Sequence, residues 1–245
     1  MSKMGFCSRS QAAALIQGQR VRVNGRLIRD PETQVRIAQD RIELDGAPVE
    51  RHSATYLVLN KPRGIVTTAS DEKGRETVYD LLDEAKAWVA PVGRLDKASE
   101  GLLLLTNDSD WAARITDPAS HLDKVYHVQV DCVANADLLQ KIIQGCAVDG
   151  DLLRAKRASL LRQGGKNSWL EVTLDEGKNR HIRRLLETLG VQVLRLVRVS
   201  IGPLELGSLK KGAVRELAPQ EKRAINGALA RTPQPRSTRT SALTT

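Results

Sequence analysis

The residues best suited to chemistry are Gly93-Arg94-Leu95-Asp96, which continue through Lys97-Ala98-Ser99-Glu100-Gly101 into Leu102-Leu103-Leu104-Leu105-Thr106-Asn107-Asp108. Four consecutive leucines bounded by Gly101 and Asn107-Asp108 predict a strand buried on both faces. A glycine-flanked turn at the mouth of such a strand is a rigid mount for one carboxylate, Asp96, with Arg94 two residues before it. A carboxylate so held can act as a nucleophile or a charge stabiliser if it is ionised. Aspartate also caps turns commonly, and an isolated Gly-Arg-Leu-Asp more often does only that. The company of Asp96 therefore decides its role.

Three other stretches carry groups that could join it. Lys61-Pro62-Arg63-Gly64 is a turn enforced by Pro62 and Gly64, with Lys61 and Arg63 making its tip basic. Lys124-Val125-Tyr126 sets a phenol beside a lysine on a predicted strand; alternation puts Tyr126 on one face with Val128, Val130 and Cys132, so it serves equally as core or as site. In Arg180-His181-Ile182-Arg183-Arg184-Leu185, helical spacing puts Arg180, Arg183 and Arg184 on one side, a cluster that calls for anions. Ile182, Leu185, Leu186 and Leu189 mark the buried side of that helix.

Composition narrows the chemistry. Net charge is +9, which favours an anionic partner, most often nucleic acid. Aromatic residues make up only 3%, too few to stack many bases in a row, so phosphate contact should dominate affinity. Three cysteines (Cys7, Cys132, Cys146) give no disulfide pattern or CxxC pair, which favours a reducing cytoplasm. The four histidines (His52, His121, His127, His181) lack metal-ligand spacing, so no metal is expected. There is no glycine-rich nucleotide loop, so no cofactor is expected. No apolar run approaches the roughly 18 residues of a membrane span.

The elements that must position these groups follow from periodicity. Thr55–Leu59, Leu102–Leu105, Lys124–Val133 and Val193–Ser200 read as strands, 157–162 and 168–174 as a hairpin, and Leu206–Leu217 as a strand-and-turn unit. Thr77–Glu84, Asp110–Ile115, Asn135–Gln144 and Arg180–Leu189 read as helices. Strands outnumber helices without regular βαβ alternation, which implies an α+β domain with a mainly antiparallel sheet. The polar stretch Glu50-Arg51-His52-Ser53 divides a module at 1–52 from a larger domain at 53–225, and 226–245 reads as a disordered basic tail.

Within 1–52, Ser8 and Gln11 have capping-box spacing, Arg9–Gln17 forms a helical stripe stopped by Gly18, and Asn24-Gly25 turns a hairpin. Arg9, Arg20, Arg22, Arg26 and Arg29 cluster there as a phosphate-gripping face requires. Cys7-Ser8-Arg9-Ser10-Gln11-Ala12 followed by Arg20-Val21-Arg22-Val23-Asn24-Gly25 resembles the S4-like RNA-binding domain. Members of that family usually have several more residues before the position of Met4, so the module here is either truncated or abbreviated.

Gly93–Asp108, Lys61–Gly64, Lys124–Tyr126, Glu176–Leu185 and Leu206–Leu217 together resemble the bacterial rRNA pseudouridine synthases that carry an S4-like domain. Two departures stand out: Ser109 where glycine is frequent and His181 where glutamine is common. The resemblance implies a small S4-like module followed by a mixed, mainly antiparallel catalytic domain that isomerises uridine to pseudouridine. It implies Asp96 as catalytic carboxylate, Tyr126 packed on the target base and Arg183 paired with Asp96. It further implies Lys61, Arg63, Arg94, Lys124, Arg180, Arg9, Arg20 and Arg22 as RNA contacts. The partner is then rRNA or a ribosome assembly intermediate, with a lean to the large subunit from Glu176-Gly177-Lys178-Asn179-Arg180; the protein is expected to be a monomer. The alternative is a non-catalytic RNA-binding or ribosome-assembly protein that retains the fold.

Overall fold

Ser8 opens the first helix because its hydroxyl accepts from the Gln11 N–H at 3.1 Å while the Gln11 side chain accepts from the Ser8 N–H at 2.9 Å. The computed structural model describes residues 1–68, 71, 73–82 and 88–231 and runs this helix, α1, over Arg9–Gln17, with Gly18 at its end. Before it, Ser2–Met4 form a single 3₁₀ turn. Strands β1 (Val21–Val23), β2 (Arg26–Leu27), β3 (Ile42–Leu44) and β4 (Ala47–Pro48) make a small sheet in the order β2-β1-β3-β4. Asn24 and Gly25 both take positive φ, as a two-residue hairpin turn requires. Met4, Val21, Ile42 and Val49 bury its core, with Leu15 and Ile16 of α1 packed against them. A hydrogen bond ties the module to the larger domain, from the Trp88 N–H to the Gly5 carbonyl at 3.1 Å, and the Asn107 side chain holds the residues that follow the module, Ser53 and Thr55.

The larger domain is built on β5 (Tyr56–Lys61), β6 (Ala90–Val92), β7 (Glu100–Thr106), α2 (Ser109–Thr116), β8 (Lys124–Val130), α3 (Ala136–Gln144), β9 (Cys146–Val148), β10 (Asp151–Leu153), β11 (Arg157–Gln163), β12 (Ser168–Leu174), α4 (His181–Thr188), β13 (Val193–Ile201), β14 (Leu204–Glu205), β15 (Val214–Glu216) and α5 (Pro219–Arg231). Nine of the strands share one sheet, in the order β11-β12-β8-β13-β7-β5-β15, with β14 on β13 and β6 on β7. β13 runs parallel to β7, and every other pairing described in this sheet is antiparallel. The α+β, mainly antiparallel expectation holds.

Every residue of β7 is buried. Leu102 and Leu104 pack on one face with Val58, Trp111, Ile201 and Ile225, while Leu103 and Leu105 pack on the other with Leu59, Val78 and Leu95. At about 1.5–3 kcal/mol for each fully buried leucine, this strand anchors the sheet. Gly101 is required at its start: φ is +101°, and a Cβ there would run into the backbone of Arg198 on β13. A third core, under α3 and α4, is formed by Val128, Leu170, Val172, Ile182, Leu185 and Leu186.

The structure corrects two expectations. The segment expected as a helix over Thr77–Glu84 is a short 3₁₀ helix at Val78–Leu81, and residues 83–84 lie outside the described residues. The chain is not a tail from 226 onward: α5 continues to Arg231, with Asn226 accepting from the Trp111 indole N–H at 2.9 Å. Residues 232–245 of the expected tail lie outside the described residues.

Candidate active site

Asp96 sits in the loop between β6 and β7, and nearly every backbone carbonyl there has a donor. The Leu95 carbonyl accepts from the Thr67 hydroxyl at 2.8 Å, and that of Lys97 from the Gly64 N–H at 2.8 Å. Arg183 Nη2 donates to the Ala98 carbonyl at 3.0 Å. Lys61 Nζ donates to the carbonyls of Asp96 (3.2 Å), Ser99 (2.9 Å) and Pro62 (3.2 Å), and the Ser99 N–H closes a turn onto the Asp96 carbonyl at 2.9 Å. With Leu95 buried beneath, the half-buried Asp96 side chain is held in one place. Such preorganisation is what a reacting carboxylate needs.

Asp96 lines a cavity of ≈ 190 Å³. Tyr126, Lys124, Arg94 and Arg180 line the same cavity, so five of the residues expected at the site converge there. Tyr126 also packs against the cores on either side of it, so the choice between core and site is not exclusive. Arg94 and Arg180 are exposed at the rim, whereas Lys124 is half-buried, and burial beside Arg198 pushes its pKa down. Asp96 also faces a neighbouring groove lined by Lys73, Arg75, Arg94, Lys97 and Arg180. Asp71 lies in that groove too, bonded to Arg75, so Lys73, Arg94, Lys97 and Arg180 leave the solvent side of the carboxylate net positive.

Four assignments change. Lys61 is not a basic tip: it is fully buried, and its three donors hold the loop carbonyls. Burial lowers its pKa to about 8, against the opposing pull of Asp96 and Glu100. Arg183 does not ion-pair with Asp96; its guanidinium is engaged by the Ala98 and Val193 carbonyls, and Asp96 acts on it only through space. The arginines of α4 do not share a face. Arg180 precedes the helix in a left-handed conformation (φ 47°), and Arg184 turns to the β9–β10 hairpin, meeting Val148, Asp149 and Asp151. On the N-terminal module, Arg20 is engaged with the Asp45 carboxylate, with bonds of 2.5–3.1 Å. Arg9 is exposed there, and Arg22 is exposed with one bond to the Gly25 carbonyl. Arg63 is exposed near Leu194. Arg9, Arg20, Arg22 and Arg63 do not line the Asp96 cavity.

Sequence reasoning missed two cavity residues. Arg198 on β13 is 6% exposed, with Nε donating to the Leu102 carbonyl at 2.8 Å. His181 is 3% exposed, and burial lowers its pKa, leaving a neutral imidazole at neutral pH. His181 stands in the arginine-rich stretch 180–185, where the sequence marks it only as a departure from the family's glutamine. The one signal for Arg198 was a charged residue in step with the inward positions Leu196 and Ser200 of its strand. Among the described residues no group of three or more His, Cys, Asp or Glu side chains is placed to hold a metal, and no helix is long and apolar enough to cross a membrane.

Comparison with known proteins identifies the family. The family model for RNA pseudouridylate synthase matches residues 55–188, and that for the S4 domain matches residues 1–49. The chain is 36% identical over 219 residues to the ribosomal large subunit pseudouridine synthase B of Bacillus subtilis, covering 89% of each. It is 38% identical to an uncharacterized RNA pseudouridine synthase of Aquifex aeolicus, covering 89% of this chain and 88% of that one. A crystal structure of a pseudouridylate synthase superposes with a TM-score of 0.65 at 30% identity, over 89% of this chain and 94% of the other. With an S4 domain ahead of a pseudouridine synthase domain, the chain belongs to the RNA pseudouridylate synthase family.

Proposed function

We propose that this protein isomerises a specific uridine of ribosomal RNA to pseudouridine, with Asp96 as the catalytic carboxylate. The observation that carries the reading is the loop on which Asp96 stands, clamped through its carbonyls by Lys61, Thr67, Gly64 and Arg183 and opening onto a cavity shared with Tyr126. The reaction detaches uracil from its ribose, turns it and rejoins it through carbon. It needs no net oxidation and no group donor. A uridine in folded RNA must leave its stack to reach Asp96, and the Tyr126 ring offers the flipped base an aromatic face. Arg94 and Arg180 at the rim, Arg63 nearby and the arginines of the first module then meet phosphates. Residues 1–52 serve as the RNA-binding module, and the catalytic domain runs from residue 53 through α5. The likeness to a large-subunit enzyme favours large-subunit rRNA. The reaction is proposed to run in the cytoplasm, with the protein acting as a monomer.

The test is Asp96→Asn, which keeps the shape of the side chain and removes its charge. Pseudouridine formation in unmodified rRNA transcripts should vanish, while RNA affinity stays within several-fold. An active Asp96→Asn enzyme overturns the assignment. Retention of every rRNA pseudouridine in a deletion strain would favour the non-catalytic alternative.

A further inference from the structure

Arg198 presents more donors than the fold uses. Its Nε bonds the Leu102 carbonyl, but Nη2 is fully covered without any hydrogen-bond partner, and no bond from Nη1 is present among the described residues. No carboxylate ion-pairs with it among the described residues, and Lys124, which lines the same cavity and is close enough to feel its charge, carries the same sign. A buried guanidinium with one of its five N–H donors satisfied is costly unless something else completes it. The register shows where that something lies. Arg198 pairs with Tyr126 across the β13–β8 ladder and with Gly101, close to the Asp96 loop, across β13–β7. Cross-strand partners present their side chains to the same face of a sheet, and both Arg198 and Tyr126 line the Asp96 cavity.

We propose that Arg198 is a base-binding residue whose Nη1 donors contact a carbonyl oxygen of the flipped uracil and stabilise the negative charge that develops there. This rests on the reading of the protein as a uridine isomerase. A flipped nucleotide enters base first, so its phosphates stay at the rim with the exposed Arg94 and Arg180, and the base alone reaches an arginine this deep. The electron count calls for such a donor. When the C1′–N1 bond breaks, its electron pair stays with the ring and is shared with the two carbonyl oxygens. C5 then bonds C1′, the C5 proton departs and N1 takes up a proton, so the product is an isomer of the substrate. Charge on a carbonyl oxygen at the middle of this sequence is met by a fixed cation whose Nη groups bond no acceptor among the described residues. The nitrogen already bound to Leu102 keeps the guanidinium from swinging away.

The experiment uses the full chain and a synthetic RNA hairpin spanning the uridine that the wild-type protein converts, made with uridine, 2-thiouridine or 4-thiouridine at that one position. Arg198→Met should slow single-turnover conversion of the uridine hairpin about 100-fold, as loss of a charge-stabilising donor does, with RNA affinity within about 3-fold. Sulfur accepts hydrogen bonds poorly, so wild type should slow by about 10-fold or more with sulfur at the contacted carbonyl and much less at the other. Arg198→Met should show no such difference between the two thio hairpins. Near-wild-type rates for Arg198→Met overturn the proposal, as does a variant that keeps the wild-type response to sulfur. If the variant does not fold, the wild-type comparison decides, and equal rates on all three hairpins overturn it. Absence of wild-type conversion of any rRNA uridine is a separate result, which removes the isomerase reading and this proposal with it.

Discussion

At the scale of single residues, the loop that carries Asp96 is held by the side chains of two cations, Lys61 and Arg183. Lys61 is the clearer case, because its ammonium supplies all three donors to carbonyls of the turn it belongs to and of the Asp96 loop. Replacing it with methionine relieves the burial of a charge but strips those donors, so folding stability should change by no more than about 1–3 kcal/mol. Turnover should suffer more, by about 100-fold, because a slightly misplaced carboxylate is enough for that. Thermal unfolding and single-turnover assays on Lys61→Met separate the two effects. The pH dependence has a definite sign. The folded pKa of about 8 lies below the ordinary 10.5, so the folded protein releases this proton first. In that window the unfolded chain binds more protons, and the contribution of Lys61 to stability rises with pH. Activity should move the other way: a neutral amine has two donors for three carbonyls, so the rate should fall through an apparent pKa near 8. Lys61→Met should lack that limb.

At the scale of elements, α4 works as a bracket. Its buried face joins the core through Ile182, Leu185 and Leu186, while its two helical arginines reach in different directions. Arg183 grips the loop through the Ala98 carbonyl, and Arg184 grips the β9–β10 hairpin through Val148, Asp149 and Asp151. Arg183→Gln should therefore reduce turnover by at least about 10-fold, by releasing one loop carbonyl. Arg184→Gln should leave turnover within several-fold and act on stability instead, which paired assays of rate and melting temperature will show. Much of this architecture was legible from sequence. The boundaries of α1 followed from its capping box, and the four leucines of β7 announced a strand with two buried faces, so the loop that carries Asp96 could be placed between a turn and a strand. The β9–β10 hairpin was missed although Asp149-Gly150, with positive φ at both residues, is a strong two-residue turn signal. Helix α5 was missed because Ile225 and Leu229 are its only large apolar residues and Gly227 lies inside it, and Ile225 is its one fully buried side chain. The pairing of Arg183 with Asp96 was expected from the resemblance alone, and nothing in the spacing of the residues tells whether a guanidinium will choose a carboxylate or a carbonyl.

At the scale of the whole molecule, a net charge of +9 is useful only where it is not neutralised locally. The N-terminal module illustrates the distinction. Arg20 is bound to Asp45, whereas Arg9 and Arg22 are exposed without a carboxylate partner among the described residues. Phosphate neutralisation releases counterions, so removing one cation that meets a phosphate should lower the slope of log affinity against log salt by about 0.7–0.9. Arg9→Gln and Arg22→Gln should each weaken binding of an rRNA fragment and reduce that slope by about this amount. Arg20→Gln should change it less, because Asp45 already compensates its charge. Fluorescence anisotropy of a labelled fragment over a salt series reads all three variants. Because none of these arginines lines the Asp96 cavity, the single-turnover rate at saturating protein should be unchanged in each. A fall in that rate with the slope intact would mean that the module positions the uridine rather than merely holding the RNA. The bond from Trp88 to Gly5, with the Asn107 bonds that hold the connecting residues Ser53 and Thr55, would then be the route from the module to the Asp96 loop.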